Sequence, residues 1–363
     1  MARLKASPSV VEALQQAPGF GVKNGWESNH PEDRIDGIVN SRTASPALST
    51  RVLVAFGCVY LFWGSTYVAI RFGVEVMSPF VLASTRFLIA GPLMLALCAM
   101  RGMKIRQSWP TLGVLAAIGI LMLGVGNMGL VWCEQYLPSG LAALLIAVVP
   151  LYVAIFEALL PRGEGLRARG WVGVGIGFAG IVILCSPGLL ESLHGDSGQL
   201  IGAGVELACA VAWTAGSILS RRAKLAVSAF VAAGWEMLFA GVFGGGILLV
   251  LGKHGVASSA PFGLQALTSI AWLVVFGSIV GYTAFIYLLD HVPVAKVSTY
   301  AYINPIVAVV LGAIFLHERM VGIEYVGMAA ILVAVYLVTS SKLTSEPGGP
   351  AAVETCAAVE SEA

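Results

Sequence analysis

The chain alternates long apolar blocks with short polar connections along most of its length. A helix rises about 1.5 Å per residue, so a block of about 20 residues matches a hydrocarbon core of about 30 Å. Ten blocks have this length. The pattern predicts ten transmembrane helices, at residues 52–71, 79–100, 110–132, 139–160, 170–186, 199–219, 229–251, 267–289, 294–316 and 322–341.

Polar segments flank the apolar blocks at both ends. Residues 1–50 carry five basic and five acidic side chains and no apolar run of the signal-peptide type. Residues 342–363 are rich in Glu, Ala, Pro and Gly, a composition that does not support a packed core. We predict disordered cytoplasmic tails at 1–50 and 342–363, and membrane-embedded units at 51–186 and 198–341.

Composition excludes several classes of protein. Hydrophobic residues make up 58% of the chain, charged residues 11%, and the mean hydropathy is +0.86, which is too apolar for a soluble surface. The net charge of +1 gives no nucleic-acid footprint. The six cysteines lack metal-ligand spacing, and no GxxxxGK[ST], HExxH or GxSxG motif occurs. We therefore expect no cofactor, no metal, no ATP hydrolysis and no enzymatic activity.

The distribution of lysine and arginine predicts the orientation. With a cytoplasmic N-terminus, thirteen of these residues in or near connections face the cytoplasm and three face outward. This asymmetry predicts an inner (plasma) membrane protein with both termini in the cytoplasm. The outward three are Arg71, Lys253 and Arg319.

The two membrane-embedded units resemble each other. At a shift of 150 residues Trp63 aligns with Trp213, and Gly91 aligns with Gly241. At a shift of 155, Pro150 aligns with Pro305. Five spans per repeat place the second repeat upside down relative to the first, an arrangement typical of transporters that open to either side of a midplane site. Duplication into a larger bundle without transport is the structural alternative.

Several motifs in order carry a resemblance to a known family. These are YLFWGSTYVAIRFGVE (60–75), ASTRFLIAGPLML (83–95), VGN (125–127), LPSGLAALLIAVVPLY (137–152) and STYAYINPIVAVVLGAIFLHE (298–318). Over residues 51–341 the chain resembles the EamA-type branch of the drug/metabolite transporter superfamily, and within it the YedA-like inner-membrane members. The resemblance implies ten helices in two inverted repeats, a central cavity, and secondary transport, often efflux of amino acids or related metabolites. One departure is the first repeat's LPRGEG (160–165), where the second has LHERM (316–320); this favours a solvated loop charge at Glu164.

A charge inside a predicted span costs roughly 2.5–3.5 kcal/mol to insert, and three ionisable residues stand out there: Arg86, Glu206 and Glu236. Arg86 and Glu206 are predicted at equal depth, about 10 Å below the outer face. They could form a structural ion pair, or could together bind a zwitterion, with its carboxylate on Arg86 and its ammonium on Glu206. Glu236 is the repeat counterpart of Arg86. Glu206 and Glu236 are candidate proton-coupling residues, with a carboxylate reaching the cytoplasm as the alternative for Glu236.

Polar and aromatic residues on the same spans predict a substrate-binding lining. Three pairs have i, i+4 spacing and so share a helix face. The predicted lining comprises Trp63, Tyr67, Asn127, Trp213, Ser217, Tyr282, Tyr300 and Asn304. For the aromatic members, contact with lipid or the interface is the alternative.

Two mid-span prolines are candidate gates. Pro150 and Pro305 each remove a backbone hydrogen bond, and each resulting kink can bend or can simply help packing. GxxxG pairs on spans 5, 7 and 8 predict close packing within one chain, with a homodimer contact as the weaker alternative.

Taken together, these features predict a secondary transporter that exports amino acids or related small metabolites by alternating access. The predicted partners are a small-molecule substrate, the bilayer and coupled protons. Two alternatives stand beside it: a membrane sensor or scaffold without transport, and an intramembrane enzyme acting on lipid intermediates.

Overall fold

The computed structural model describes residues 50–161, 165–193, 197–252, 263–292, 297 and 299–341. The predicted tails, apart from Thr50, lie outside the described residues. So do Glu164, Lys253 and the start of the ninth predicted span.

Every regular element in the described ranges is a helix. The helices are α1 (Thr50–Val74), α2 (Pro79–Met100), α3 (Trp109–Cys133), α4 (Ser139–Leu159), α5 (Ala168–Leu184), α6 (Ser186–Leu193), α7 (Gly198–Ala223), α8 (Ala229–Leu251), α9 (Leu264–His291), α10 (Tyr300–Phe315) and α11 (Gly322–Ser340).

Eight of these helices are long and apolar enough to cross a membrane, namely α1 to α4, α7 to α9 and α11. Helices α5 and α10 are apolar but shorter, with 17 and 16 residues. Each of the ten predicted spans overlaps an apolar helix of the described chain, and eight of these ten helices have the length of a membrane span. The eight-residue α6 was not predicted. The chain is an all-helical, multi-pass membrane protein.

Prolines and serines in the connections set where helices begin. Pro79 is the first residue of α2, a position where the missing N–H costs nothing. Before α3, the Ser108 hydroxyl accepts a hydrogen bond from the Thr111 backbone N–H at 3.4 Å. Pro138 immediately precedes α4.

The two candidate gating prolines differ in their effect on the backbone. In α4 the helix is interrupted between Ile146 and Val149, directly before Pro150. In α10, Pro305 lies within a helix that continues through it. The backbone hydrogen bond that proline cannot donate therefore coincides with a break in α4, whereas α10 remains a continuous helix.

Glycines bring α2 and α8 into close contact. A β-carbon at Gly91 would lie 2.6 Å from the Leu238 backbone nitrogen, and one at Gly241 would lie 2.7 Å from that of Leu88. The two contacts are reciprocal and involve residues 150 positions apart. Small residues allow this backbone approach, which stabilises helix pairs in lipid.

Three helices contain a segment of π-helical hydrogen bonding. The segments are Val59–Trp63 in α1, Ile120–Asn127 in α3 and Leu273–Tyr282 in α9. Such segments are rare and often occur at functional sites, because the wider turn changes the direction of the side chains beyond it. Each segment ends on a residue of the predicted substrate-binding lining.

Large apolar side chains cover the outward faces of the bundle. Val182, Leu249, Val250 and Phe315 are 68%, 86%, 88% and 68% exposed. Exposure on this scale is unfavourable in water and ordinary for a surface that contacts lipid.

Candidate functional site

A small central cavity lies among helices from both halves of the chain. Its volume is about 50 Å³. One water molecule needs at least about 10–15 Å³ of space for its centre, measured in the same way. The cavity therefore has room for only a few water molecules in this conformation. It is lined by Trp63, Thr66, Tyr67, Arg86, Leu123, Gly126, Asn127, Leu130, Ile146, Trp213, Gly277, Tyr282 and Tyr300.

Arg86 is the charged residue of this lining, and it is 3% exposed. Its Nε donates to the Ser278 hydroxyl at 2.7 Å, and its Nη1 donates to the Asn127 side-chain oxygen at 3.2 Å. Both acceptors are neutral. Within the described ranges, no carboxylate forms an ion pair with Arg86; the ion pair found there joins Arg222 and Glu157 at 2.9 Å.

A buried cation without a counter-charge is costly, because neutral acceptors replace only part of its hydration. The face of Phe87, 4.9 Å from the guanidinium carbon, contributes a modest cation–π attraction. Arg86 therefore presents an uncompensated positive charge to the cavity, a suitable partner for a carboxylate.

Four aromatic rings pack together beside the cavity, and three of them, Trp63, Trp213 and Tyr300, belong to its lining. The Trp63 ring lies 5.6 Å from that of Trp213, 4.9 Å from Phe285 and 5.6 Å from Tyr300, measured between centroids. The Trp63 indole N–H donates to the Gly277 carbonyl at 3.1 Å, which fixes the ring. Rigid rings held in this way give an apolar binding surface with little loss of conformational entropy.

Two glycines on α9 make room for these side chains. A β-carbon at Gly277 would lie 2.8 Å from Nη2 of Arg86, and one at Gly281 would lie 2.6 Å from the Trp63 ring. Both distances are below van der Waals contact. Gly277 and Gly281 form one of the GxxxG pairs that predicted close helix packing. In the structure they leave space for the side chains of Arg86 and Trp63.

Tyr282 separates the central cavity from a larger vestibule. Its hydroxyl donates to the Glu236 carboxylate at 2.6 Å, and Glu236 lines the vestibule. The vestibule has a volume of about 630 Å³ and also contains Arg221, Lys224 and Asp290. One buried hydrogen bond therefore joins the walls of the two spaces.

Seven of the ten residues predicted to bind substrate line the cavity, and three do not. Ser217 is buried on α7 and donates to the Trp213 carbonyl at 2.9 Å. Asn304 is buried on α10, and its side-chain oxygen has no hydrogen-bond partner in the described chain. Glu206 is fully buried outside the lining, and it does not form the ion pair with Arg86 that one sequence-based alternative required.

Sequence reasoning missed Glu134, which lies one residue beyond α3 and is fully buried. Burial raises the pKa of the Glu134 carboxyl well above its ordinary value, and the carboxylates of Glu206 and Glu318 raise it further, while Arg71 opposes them. The sequence signal that could have revealed Glu134 is a carboxylate at the very end of an apolar block.

Glu318 connects the start of α4 to the connection between α10 and α11. Its carboxylate accepts hydrogen bonds from the Ser139 backbone N–H at 2.9 Å and from the Ser139 hydroxyl at 2.6 Å. The Gly140 backbone N–H is a longer donor at 3.4 Å. A carboxylate at a helix N-terminus is stabilised by these free donors and by the helix dipole.

A multi-pass helical bundle around a charged, aromatic-walled cavity has the features of a membrane transport protein. The profile of the EamA-like transporter family matches residues 50–186 and again residues 200–340. The chain belongs to the EamA-like transporter family.

Individual relatives agree with this membership. The chain is 39% identical to the "uncharacterized inner membrane transporter YedA" of Escherichia coli K12, over 80% of this chain and 92% of the relative. It is 27% identical to the "uncharacterized transporter YvbV" of Bacillus subtilis 168, over 82% and 94%. A crystal structure that is 24% identical has the same fold, with a TM-score of 0.59 over 80% of this chain and 98% of that one.

Proposed function

We propose that this protein is a secondary active transporter that exports amino acids or related small carboxylate-bearing metabolites by alternating access. The observation that carries the substrate class is Arg86: a buried guanidinium at a central cavity, with neutral hydrogen-bond partners and no counter-charge in the described chain. A substrate carboxylate supplies the missing charge in a bidentate pair. The aromatic wall around Trp63 holds the apolar part of the substrate.

The two halves of the chain act as inverted repeats of five spans each, with α5 and α10 as the shorter spans. Two separate family matches and the reciprocal Gly91 and Gly241 contacts support this arrangement. The contact between Trp63 and Trp213, also 150 positions apart, fits a pseudo-two-fold axis through the cavity. Both termini lie in the cytoplasm, as the lysine and arginine distribution predicts.

The conformation is inward-facing in this proposal. The vestibule carries Arg221 and Lys224, which belong to the positively charged, cytoplasmic set of residues. Glu318, in the connection between α10 and α11, binds the start of α4 and so joins the two halves at the opposite, outer side. The cavity enlarges to admit substrate when Tyr282 separates from Glu236, and the break before Pro150 lets half of α4 move. The corresponding role of Pro305 rests on its equivalent position in the second repeat.

Neither alternative function has a specific observation in its favour. A sensor or scaffold does not require an unpaired charge at a central cavity. An enzyme acting on lipid intermediates would require reactive groups grouped near one membrane face, and the cavity offers one cation and aromatic walls in the described chain.

The test is export in cells that overproduce the protein and are challenged with toxic concentrations of individual amino acids and of matched amines that lack a carboxylate. We expect resistance to carboxylate-bearing compounds, and a roughly tenfold to hundredfold lower transport rate in vesicles for Arg86→Gln, because a hydrogen-bonded charge pair is lost. Arg101→Gln, at the exposed end of the same helix, is the matched control. Equal transport of the matched amines, or full activity of Arg86→Gln, would overturn the proposal.

A further inference from the structure

A second polar region lies outside the cavity, where α7 packs against the end of α3. Gly202, Glu206 and Cys209 have spacings of four and three residues and so share one face of α7. A β-carbon at Gly202 would lie 3.2 Å from Leu137, and the Cys209 sulfur occupies the space in which a β-carbon at Gly129 would lie. The helices therefore run in opposite directions in contact.

This register places Glu206, midway between those two contacts, opposite the last turn of α3 and the residues that follow it. The Cys133 thiol interacts with the Glu206 carboxylate there. Glu134 is the next residue and lies within electrostatic range of Glu206. Two carboxylates from different halves of the chain thus lie buried within electrostatic range of each other.

Both carboxylates lack the partners that buried charges need. Glu134 and Glu206 are each 0% exposed. None of their four carboxylate oxygens has a hydrogen-bond partner of ordinary geometry within the described ranges. The titratable and charged groups that face the pair are Tyr67, Arg71, Cys133, Cys209 and Glu318.

The neighbouring charged groups are engaged elsewhere. Arg71 donates to the backbone carbonyls of Glu134 and Gln135 rather than to a carboxylate oxygen. The Glu318 carboxylate is held by the N-terminus of α4. Neither group neutralises the pair by a direct contact.

Two ionised carboxylates in a fully buried site repel each other and lose their solvation, so the pair requires a cation. The described chain contains no group of three or more His, Cys, Asp or Glu side chains that could hold a metal ion. A proton needs no further ligands, because it forms a covalent bond to one carboxylate oxygen and removes the charge of that carboxylate.

We infer that Glu134 and Glu206 form one coupled proton-binding site, in which protonation of one carboxyl group removes the repulsion between the two. The proton binds to one carboxylate oxygen and is released as that carboxylic acid ionises. Tyr67 lines the central cavity and lies within electrostatic range of both carboxylates, so it stands between the proton site and the substrate. This inference rests on the proposed transport function for its role, and it adds Glu134 to the coupling residues.

The test is infrared spectroscopy of the purified full-length protein in lipid, titrated with pH, following the C=O stretch of protonated carboxylic acids. Glu206→Gln and Glu134→Gln should each remove part of this absorption. In Glu206→Gln, Glu134 should titrate at a pH lower by about one unit or more, because the repelling carboxylate is gone. Glu157→Gln, which removes a carboxylate paired with Arg222, is the control and should leave the absorption unchanged.

Three results would overturn the coupled proton site. One is that either glutamine variant leaves the absorption as in the wild type. Another is that Glu134 titrates at the same pH with and without Glu206, which would make the two acids independent. Binding of sodium in place of a proton would leave both carboxylates ionised, so sodium would remove the C=O absorption of the wild type at fixed pH, and this too would contradict the inference.

Thermal melting of the same variants separates a folding defect from loss of the site. The raised pKa of Glu134 means that the folded state holds a proton which the unfolded state has released, so stability falls as pH rises from the ordinary value of 4.5 towards the raised one. Glu134→Gln should lack this part of the pH dependence and should melt no lower than the wild type at neutral pH.

Failure of this inference is distinguishable from failure of the proposed function. The infrared titration needs no substrate, so it can succeed even if no carboxylate-bearing compound is exported. Conversely, export of carboxylate-bearing compounds and slower transport in Arg86→Gln could be observed while the infrared titration is unchanged in both glutamine variants. The proposed transport function would then be supported, and the protein would have its proton site elsewhere.

Discussion

Arg86 on α2 and Glu236 on α8 occupy equivalent positions, 150 residues apart, and have opposite charges and surroundings. Arg86 faces the small central cavity and bonds only to neutral acceptors. Glu236 faces the wide vestibule and accepts a 2.6 Å hydrogen bond from Tyr282. The pair shows that a duplicated position can keep its place in the packing while it takes a different electrostatic role.

The two positions differ in the group that solvates or neutralises each charge. A protein donor solvates the Glu236 carboxylate directly, and Tyr282 is held between the two spaces as a result. Arg86 has no counter-charge in the described chain, so in our proposal the carboxylate of the substrate neutralises it. A transporter with identical charges at both positions would lack this division between a binding residue and a gate residue.

The largest expected effect comes from removing the charge on the cavity side alone. Arg86→Gln should lower transport of a carboxylate-bearing substrate roughly tenfold to hundredfold, whereas Glu236→Gln should lower it less, because Gln can still accept from Tyr282. The measurement is the initial rate of uptake into inside-out vesicles. Equal losses in the two variants would mean that the two positions do not differ in role.

The next effect concerns the glycines that accommodate the aromatic wall. Gly281→Ala places a β-carbon 2.6 Å from the Trp63 ring, and Gly126→Ala, the equivalent position, places one 3.2 Å from Trp213. Overpacking typically costs about 1–3 kcal/mol, so we expect roughly tenfold slower transport for Gly281→Ala and a much smaller loss for Gly126→Ala. Gly175→Ala, with no atom nearby, is the control. A larger loss of transport rate in Gly126→Ala than in Gly281→Ala would contradict this expectation.

A smaller effect is expected from the gate itself. Tyr282→Phe leaves the buried Glu236 carboxylate without its tyrosine donor, at a cost of about 1–3 kcal/mol. We expect a lower melting temperature and a several-fold slower rate of transport. Tyr287→Phe, a partly buried tyrosine stacked on His291, should change neither quantity. An unchanged Tyr282→Phe protein would show that this hydrogen bond does not hold the two spaces apart.

The smallest effect comes from an arginine that already has a carboxylate. Arg222 pairs with Glu157 at 2.9 Å on a partly exposed surface, where such pairs contribute about 0–1 kcal/mol. Arg222→Gln should therefore change stability by less than about 1 kcal/mol and leave transport nearly unchanged. Chemical denaturation measures the first quantity. If Arg222→Gln lowered the transport rate as much as Arg86→Gln, an arginine with a carboxylate partner and one without would not differ in importance for transport.

The sequence predicted most of the cavity because apolar helices with polar positions on one face leave few places for those side chains to go. Trp63, Tyr67 and Asn127 were selected on this basis and do line the cavity. Glu206 was also selected, and it lies instead against the end of α3. Equal depth in the membrane fixes one coordinate only, and the direction in which a side chain points around the helix axis depends on packing.

By itself the sequence determined the places of the apolar helices, the similarity of the two halves and the family, because the length of an apolar run and the order of motifs are local properties. Tertiary structure alone decided which charges are paired. It placed Glu134 beside Glu206, gave Tyr282 to Glu236 and left Arg86 without a counter-charge in the described chain. It also introduced the π-helical segments that end on Trp63, Asn127 and Tyr282. The physical reason is that the solvation of a buried charge depends on atoms that are distant in sequence and are brought close only by helix packing.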